Sequence, residues 1–513
     1  MGLRLLHQPD GAGRGHPVPA RGKSGAGVLK INILFAFPEA TPYLKTGGLA
    51  DVGGALPAAV AHMGHRVATV MPLYQGVERK LHGIKDSGKR LHVNVGGRTV
   101  EAALWRATTP HGDDWFIEHA PYFDRPRPYG DASGDYPDNA ERFSFFCAAA
   151  LALAESIGAG IVHAHDWQAG LIPSLAAAAR KSGSKTPGTV FTIHNMAYQG
   201  LFDMAEQSVT GLPPDFFGMD GLEFHGRINF LKGGMVHADQ VTTVSRTYAE
   251  EIRTAEHGCG LDGVATALGP RLSGIVNGLD PDEWNPATDP DLAAPFSADN
   301  LKGRAVGRKA VQDEMGLTDG PAPLVGMVGR LVEQKGLALV LEVLPTLLAG
   351  GARLAVLGSG DAAIEKRLQQ AADHHPGQVA LALGYDEGLA RRIYAGADLF
   401  LMPSRFEPCG LSQQIAMRYG AVPVVSRVGG LVDTVVPDAP RKRSATGFAF
   451  SPFSADALAS CLKQAFTRFA KGAPFARIQQ NGMRRDVSWD RSAEAYESVY
   501  RKAAKEAGKA PNW

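Results

Sequence analysis

Cysteine is scarce in this sequence, and the few cysteines that occur are far apart. They are Cys147, Cys259, Cys409 and Cys461, with no C-x-x-C pair among them. Disulfide frameworks and structural zinc sites both use cysteines at short, regular spacings. The sequence therefore predicts neither a disulfide framework nor a zinc site, and it indicates a reducing, cytoplasmic location.

Long apolar runs and an excess of charge of one sign are also lacking. No run reaches the roughly 20 apolar residues of a transmembrane helix. Lys and Arg number 53 against 52 Asp and Glu, which gives a net charge of +1. Neither a membrane nor a nucleic-acid partner is predicted. A chain of 513 residues is too long for one hydrophobic core, so two large domains are expected.

Residues 1–29 differ in composition from the rest of the chain. They are rich in Gly, Pro and Arg and contain no apolar core of the kind found in secretory signals. We predict a disordered leader here. A misassigned start codon and a plastid transit peptide remain as alternatives.

From residue 30 onward, short β-branched runs alternate with amphipathic helical stretches. A helix is predicted over 49–64, and the strands of this half are predicted at 30–37, 66–72, 160–166, 188–195 and 240–245. The pattern restarts near residue 272. Helices are expected at 336–350 and 410–420, and strands at 272–277, 324–330, 353–358, 379–384, 398–404 and 422–426.

This alternation predicts an α/β protein with two facing Rossmann-like domains, each a doubly wound parallel sheet. The expected boundaries are 30–275 for the first domain, 276–485 for the second and 486–513 for a C-terminal helix that packs against either domain. Ligands of open α/β sheets bind at the carboxyl ends of the strands. The active site is therefore expected in the cleft between the domains.

The segment Lys45-Thr-Gly47-Gly48-Leu-Ala-Asp51-Val follows the first predicted strand and opens the first predicted helix. Gly47 and Gly48 allow close approach of a ligand to the backbone, and a helix start offers free amides to a phosphate. Lys45 adds a positive charge. A tight turn with a solvated lysine is the alternative interpretation.

This segment, preceded by Phe37-Pro38-Glu39, resembles the bacterial glycogen synthase and starch synthase family. Further matching motifs follow in order: HAHDWQAG (163–170), FTIHNMAYQG (191–200), GLEFHG (221–226), INFLKGG (228–234), VNGLD (276–280), GRLVEQKG (329–336), SRFEPCGL (404–411) and VGGLVDTV (428–435). The resemblance covers roughly 30–505. It implies a GT-B fold and retaining transfer of glucose from a nucleotide-glucose, with ADP-glucose favoured, to an α-glucan such as glycogen. It implies no cofactor and no essential metal.

The same resemblance gives roles to several residues of the second half. Arg330 and Lys335 would bind the diphosphate, whose negative charge grows as the glycosidic bond breaks. Glu407 would lie near the donor glucose. Many GT-B enzymes have a second Glu eight residues later, where this chain has Ile415.

The residues that follow Glu407 are also expected at the donor. The amides of Gly410, Leu411 and Ser412 stand at a predicted helix start and suit phosphate. Cys409 invites a nucleophile hypothesis, but we prefer a buried thiol near the donor because no His is adjacent.

On the first domain, His165 is expected near the sugar 6-hydroxyl, as the resemblance implies. His163 fits a hydrogen-bonded core residue better. The alternative is that His163, His165 and Asp166 are metal ligands, since the two histidines share one strand face. Asn195 and Tyr198 are expected to line the cleft. Asp51 and Glu39 would bind glucan hydroxyls or cap a helix.

Two D-x-D strings occur, at 280–282 and 289–291, and both are interpreted as loops of the Pro-rich interdomain stretch.

Two rival functions remain. One is a glucan phosphorylase with pyridoxal phosphate, and the other is a non-catalytic glucan-binding protein of the same fold.

Overall fold

The structure, a computed structural model, describes residues 30–131 and 133–508. The predicted leader, residues 1–29, lies outside the described residues, as do residues 509–513 of the predicted C-terminal segment. Within the described ranges, no helix is both long and apolar enough to cross a lipid bilayer.

The first half of the chain folds around one large twisted sheet. The strands up to residue 274, including those of two small accessory sheets, are β1 (Asn32–Ala36), β2 (Arg66–Pro72), β3 (Lys85–Val95), β4 (Arg98–Thr109), β5 (Gly112–Glu118), β6 (Gly130–Asp131), β7 (Gly134–Asp135), β8 (Ile161–His165), β9 (Gly188–Ile193), β10 (Leu201–Asp203), β11 (Glu223–Phe224), β12 (Arg227–Asn229), β13 (Gln240–Thr243) and β14 (Leu272–Gly274). The helices are α1 (Gly48–His62), α2 (Ala120–Phe123), α3 (Asn139–Ser156), α4 (Leu171–Lys181), α5 (Phe230–His237), α6 (Arg246–Glu251) and α7 (Asp262–Ala267). The large sheet has the order β14-β13-β9-β8-β1-β2-β5-β4-β3.

The second half forms a separate sheet with the order β17-β16-β15-β18-β19-β20, parallel throughout. Its strands are β15 (Leu324–Val328), β16 (Arg353–Gly358), β17 (Val379–Leu383), β18 (Leu399–Met402), β19 (Val422–Ser426) and β20 (Phe448–Phe450). The helices are α8 (Lys302–Glu314), α9 (Leu337–Ala349), α10 (Ala362–His374), α11 (Glu387–Gly396), α12 (Ser412–Arg418), α13 (Gly429–Thr434), α14 (Ala455–Ala470), α15 (Ala473–Met483) and α16 (Trp489–Glu506). We call the two sheets with the helices packed on them the first and second lobes.

The central strands are buried on both faces, which explains why the sequence pattern predicts them. In β1 and β9 nearly every side chain is buried, because helices cover both sides of the parallel sheet. Such strands read as continuous apolar runs. The predicted strands are all found, as are the helices predicted over 49–64, 336–350 and 410–420, and the α/β class with two parallel sheets is confirmed.

Two expectations about the sheets need correction. The strand predicted at 272–277 begins the second pattern in the sequence, but β14 pairs in parallel with β13 at the edge of the first sheet. The second sheet starts only at β15. In addition, β4 and β3 extend the first sheet antiparallel beyond β5, so that sheet is not purely parallel. This extension is largely exposed and rich in charged residues, so it lacks the apolar runs of the central strands.

The last helix, α16, packs against the first lobe although it follows the second lobe in sequence. The chain returns to the first lobe just before α16, where the Val487 carbonyl accepts a hydrogen bond of 2.7 Å from the Leu279 amide. Tyr496 and Tyr500 of α16 are then buried beside β8 and β9, in one apolar cluster with Phe35 and Phe37 of the first lobe. The Tyr500 hydroxyl lies 3.0 Å from Nδ1 of His163.

We predict that α16 contributes strongly to the stability of the first lobe. Tyr500→Ala removes a fully buried ring and should lower the free energy of unfolding by about 3–5 kcal/mol. Tyr500→Phe keeps the ring and loses only the bond to His163, which costs about 1 kcal/mol. Urea unfolding measures both. Lys502→Ala, at an exposed position of the same helix, should stay within about 0.5 kcal/mol of the wild type. Equal effects at 500 and 502 would contradict the docking.

Candidate active site

The carboxyl ends of the two parallel sheets face each other across the cleft. A Cβ built on Gly48, at the start of α1, would lie 3.9 Å from Cδ1 of Leu411 on the second lobe. The Arg330 guanidinium donates to the Tyr198 hydroxyl across the same gap, at 3.4 Å. The structure therefore brings loops of both lobes that were predicted to bind substrate to one place.

The loop before α1 is shaped from inside by Glu39. This carboxylate is 2% exposed and accepts hydrogen bonds from the amides of Thr46 and Gly47, both at 3.1 Å, and from the hydroxyls of Thr46 and Tyr129. Burial raises the pKa of Glu39, and these hydrogen bonds oppose the shift. All the contacts of Glu39 are thus internal to the first lobe, where it holds the backbone of the glycine loop in place.

Two further glycines let α1 approach that loop. A Cβ on Gly53 would lie 2.8 Å from the Ala40 Cβ, and one on Gly54 would lie 2.1 Å from Oγ1 of Thr41. The helix starts at Gly48 and no side chain caps its first turn. Its first turn lies beside the cleft, where unpaired amides and the positive end of the helix suit a phosphate.

Lys45 and Asp51 form an ion pair at the mouth of this loop. Their Nζ and Oδ1 atoms are 2.7 Å apart, and both side chains are partly exposed. Burial raises the pKa of Asp51, while the Lys45 ammonium opposes the shift. Asp51 does not cap the helix, since the position before α1 is Gly47. Both groups remain open to a ligand.

In the second lobe, Glu407 and Lys335 form a close pair. Lys335 Nζ lies 2.6 Å from Oε2 of Glu407, and the Ser404 hydroxyl donates to the same oxygen at 2.9 Å. Glu407 is 5% exposed, so the ammonium compensates a nearly buried negative charge. Arg330, in contrast, is exposed. The resemblance assigns both cations to a diphosphate, and in the structure Lys335 pairs with the carboxylate of Glu407.

The segment after Glu407 turns tightly into α12. Gly410 has a φ of +73°, a conformation that favours glycine, and no side chain caps the helix start at Leu411 and Ser412. The Gln413 amide donates to the carbonyls of Cys409 and Gly410, which holds the turn. The Leu411 side chain at this helix start reaches Gly48 of the first lobe, across the cleft.

The predicted histidines lie at the end of β8. Nδ1 of His165 lies 2.9 Å from Nε2 of His194, its ring stacks on Phe37, and its Nε2 is buried without a partner among the described residues. Burial holds the pKa of His165 well below its usual value, so the ring is neutral. His163 instead lies in the core, between Tyr500 and Thr192.

Metal binding by these histidines has no support in the geometry. Within residues 30–131 and 133–508, no three His, Cys, Asp or Glu side chains are grouped so that they could hold an ion. The D-x-D strings are loop residues, as expected. Asp280 and Asp289 each accept amide hydrogen bonds within their own turns, and Asp289 also pairs with Arg391.

Asp166 and Tyr385 were not predicted to bind substrate. Asp166, with a φ of +57°, follows His165 and accepts the amide hydrogen bond of His194 at 2.7 Å. Burial raises the pKa of Asp166 to about 7. Tyr385, which follows β17, is 66% exposed. It lies close enough to Asp51 of the other lobe for the Asp51 charge to act on its hydroxyl. An exposed aromatic residue at the carboxyl end of a strand was the signal that could have revealed Tyr385.

Comparisons with known proteins agree with this architecture. Models described as "Starch synthase catalytic domain" and "Glycosyl transferases group 1" match residues 32–267 and 322–468. The glycogen synthase of Syntrophotalea carbinolica is 44% identical over 92% of this chain and 99% of its own length. Glycogen synthase 2 of Geobacter sulfurreducens is also 44% identical, with the same coverage.

Solved structures give the same result. The catalytic domain of starch synthase IV from Arabidopsis thaliana, bound to ADP and acarbose, superposes with a TM-score of 0.85 at 33% identity, covering 93% of this chain and all of that one. Sucrose-phosphate synthase from Thermosynechococcus elongatus, at 16% identity and a TM-score of 0.57, shares the fold alone. The shared architecture gives the class: this is a hexosyltransferase of the GT-B type. Within that class, the chain belongs to the bacterial glycogen synthase and starch synthase family.

We predict that Cys409 is chemically inert. Burial raises the pKa of its thiol to about 12, so at pH 8 only about one molecule in 10⁴ carries the reactive thiolate. Iodoacetamide at pH 8 should modify the exposed Cys259 first and leave Cys409 unmodified in the folded protein. Peptide mass spectrometry measures the order. Rapid labelling of Cys409 in the folded protein would instead support the nucleophile hypothesis.

Proposed function

We propose that this enzyme transfers glucose from ADP-glucose to the non-reducing end of an α-1,4-glucan, with retention of configuration, and so elongates glycogen in the cytoplasm. The observation that carries the proposal is the Lys335–Glu407 pair, a nearly buried carboxylate and a cation at the strand ends that face α1. The ADP and acarbose bound to the Arabidopsis relative support the choice of donor and acceptor.

The diphosphate of the donor would lie between two kinds of positive group. Arg330 and Lys335 come from the second lobe and Lys45 from the first, and the uncapped starts of α1 and α12 add backbone amides. A planar guanidinium suits bidentate phosphate binding, while the ammonium groups act as point charges. These groups favour the transition state because the leaving diphosphate gains negative charge there.

The glucose would lie against Glu407, with His165 on the first-lobe side. The unpartnered Nε2 of His165 is suited to a sugar hydroxyl, and we assign it to the 6-hydroxyl. Asn195, Tyr198 and Asp51 would contact the donor or the glucan from the first lobe. Glu39 would act through the loop that it shapes.

The nucleobase would pack on Tyr385. This ring is exposed after β17, and its hydroxyl donates to Glu387 at 3.1 Å. A base stacked on such a ring buries apolar area without a polar cost. Selectivity for adenine over uracil is assigned from the ADP of the Arabidopsis relative.

Retention would follow from departure and attack on the same face of the sugar. The bond between C1 and the phosphate oxygen breaks, and ADP leaves. The acceptor 4-hydroxyl oxygen bonds to C1 from that side, and its proton passes to the departing phosphate. Ile415 is buried in the apolar core, so the position eight residues after Glu407 supplies no second carboxylate. Glu407 then holds the sugar, and the route of retaining glycosidases is not used.

We predict glycogen-dependent release of ADP from ADP-glucose, with much slower turnover of UDP-glucose. A competition assay with both donors measures the preference, and NMR of the elongated chain should show new α-linkages. A phosphorylase would instead release glucose 1-phosphate from glycogen and phosphate, and it would show an internal-aldimine absorption band. A non-catalytic binding protein would release no ADP. Either outcome would refute the proposal.

We predict that Lys335→Ala lowers kcat by about 10²- to 10³-fold and changes the affinity for ADP-glucose far less. The reason is that Lys335 both orients Glu407 and stabilises charge that develops only as the bond breaks. Steady-state kinetics and calorimetric binding of ADP-glucose, measured without glycogen, separate the two effects. Lys366→Ala, at an exposed position of α10, is the matched control. Unchanged turnover in Lys335→Ala would remove this residue from the mechanism.

A further inference from the structure

The lobes also meet at a polar contact beside the cleft, which is made by α6 and the residue that caps it. The Ser245 hydroxyl donates to the Pro408 carbonyl at 2.6 Å. The amide and hydroxyl of Thr247 donate to the two carboxylate oxygens of Asp433, at 2.9 and 2.8 Å. Oε1 of Glu251 accepts from the Gly429 amide at 2.8 Å. We call these four hydrogen bonds the α6 contact.

The second-lobe side of the α6 contact is joined directly to Glu407. The Gly430 amide donates to the Glu407 carbonyl at 2.9 Å. Gly429, with a φ of +43°, packs so closely that a Cβ there would lie 2.0 Å from that carbonyl oxygen. The start of α13 and the backbone of Glu407 are therefore packed together as one unit, and Pro408 continues it.

The α6 contact forms hydrogen bonds with both segments of this unit, at Pro408 and at Gly429. Ser245 binds the residue after Glu407, and Glu251 binds the glycine that packs against the Glu407 carbonyl. Asp433 also contacts the segment that leads back to the first lobe, because Arg485 of that segment donates to the Asp433 carbonyl at 3.0 Å. Hydrogen bonds of α6 and Ser245 thus link the backbone around Glu407 to the first lobe.

The position of Glu251 is unfavourable for the stability of the fold. Its second oxygen, Oε2, is buried without a partner in the described part of the chain. A buried carboxylate oxygen without a hydrogen bond is unfavourable. Its neighbour Glu250 on the same helix is well exposed and forms only a loose pair with Arg253 at 3.9 Å. The two adjacent carboxylates thus differ in their relation to the second lobe.

We propose that Glu251 and Thr247 are positioning residues that fix the Glu407 loop against the sugar-binding strand ends of the first lobe. Neither touches the substrate. They act through the backbone of Gly429, Gly430 and Glu407. The proposal rests on the function proposed above, because it takes Glu407 as the group that holds the donor sugar.

The test compares Glu251→Ala with the control Glu250→Ala. In Glu251→Ala, kcat for ADP-glucose and glycogen should fall about 10- to 100-fold, the loss expected when a hydrogen bond to a charged acceptor is removed. Calorimetric affinity for ADP should stay within about threefold, since the second-lobe cations are untouched. Glu251→Gln keeps an acceptor oxygen for Gly429 and should recover most of the kcat.

Hydrogen exchange provides a readout that does not depend on the transferase function. Amides of 405–412 and 429–434 should exchange faster in Glu251→Ala than in Glu250→Ala, because the loop has lost its support. If the wild type lacked transferase activity while this difference remained, the proposed function would fail and the positioning would stand. Equal exchange and equal kcat in the two variants would overturn the positioning.

A second pair of variants covers the case in which Glu251→Ala does not fold. Thr247→Val keeps the side-chain volume and removes the hydroxyl donor to Asp433, whereas Thr247→Ser retains it. We expect Thr247→Val to lower kcat about tenfold with unchanged ADP affinity, and Thr247→Ser to restore it. Identical kcat in the Val and Ser variants would count against the proposal.

Discussion

The ion pair between Lys335 and Glu407 is the interaction on which the cleft depends. A carboxylate that is 5% exposed is stable only with a partner, and here the partners are one ammonium and one hydroxyl on the same oxygen. An anionic diphosphate would compete for that ammonium. Under the proposed function, donor binding therefore draws Lys335 toward phosphate, so that Oε2 of Glu407 can accept a hydrogen bond from a sugar hydroxyl. Charge compensation thus links donor binding to the ability of Glu407 to accept hydrogen bonds from the sugar.

Most of the fold could be predicted because its central strands are buried on both faces. β1, β9 and β15 read as apolar runs, and their carboxyl ends define where loops with function must lie. The charged hairpin of β3 and β4 carries no such signal, since one face meets water. The partner of α16 also stayed open, because its amphipathic pattern shows that it packs but not on which lobe.

Residues of the candidate site could be predicted where a sequence motif defines a loop. They were harder to predict where contacts with distant parts of the chain determine the environment of the side chain. Lys45, Arg330, Lys335 and Glu407 stand in motifs, and the structure gathers them at the cleft. One of the hydrogen bonds that Glu39 accepts comes from Tyr129, which is 90 positions away in the chain. Likewise, the raised pKa of Asp166, about 7, comes from burial that no local pattern shows.

Retention of configuration can be argued from how the cleft carboxylates are bonded. A double displacement needs an ionised carboxylate that is free to attack C1. Glu39 is held by its own loop, Asp51 pairs with Lys45, and Asp166 is bonded to a backbone amide. Glu407 is tied to Lys335, and its own neighbour at the expected second position is the apolar Ile415. Each of these groups already shares its negative charge with a cation or a hydrogen-bond donor, which makes it a weaker nucleophile. Departure and attack on one face need no carboxylate nucleophile, because the leaving phosphate itself accepts the proton of the incoming hydroxyl.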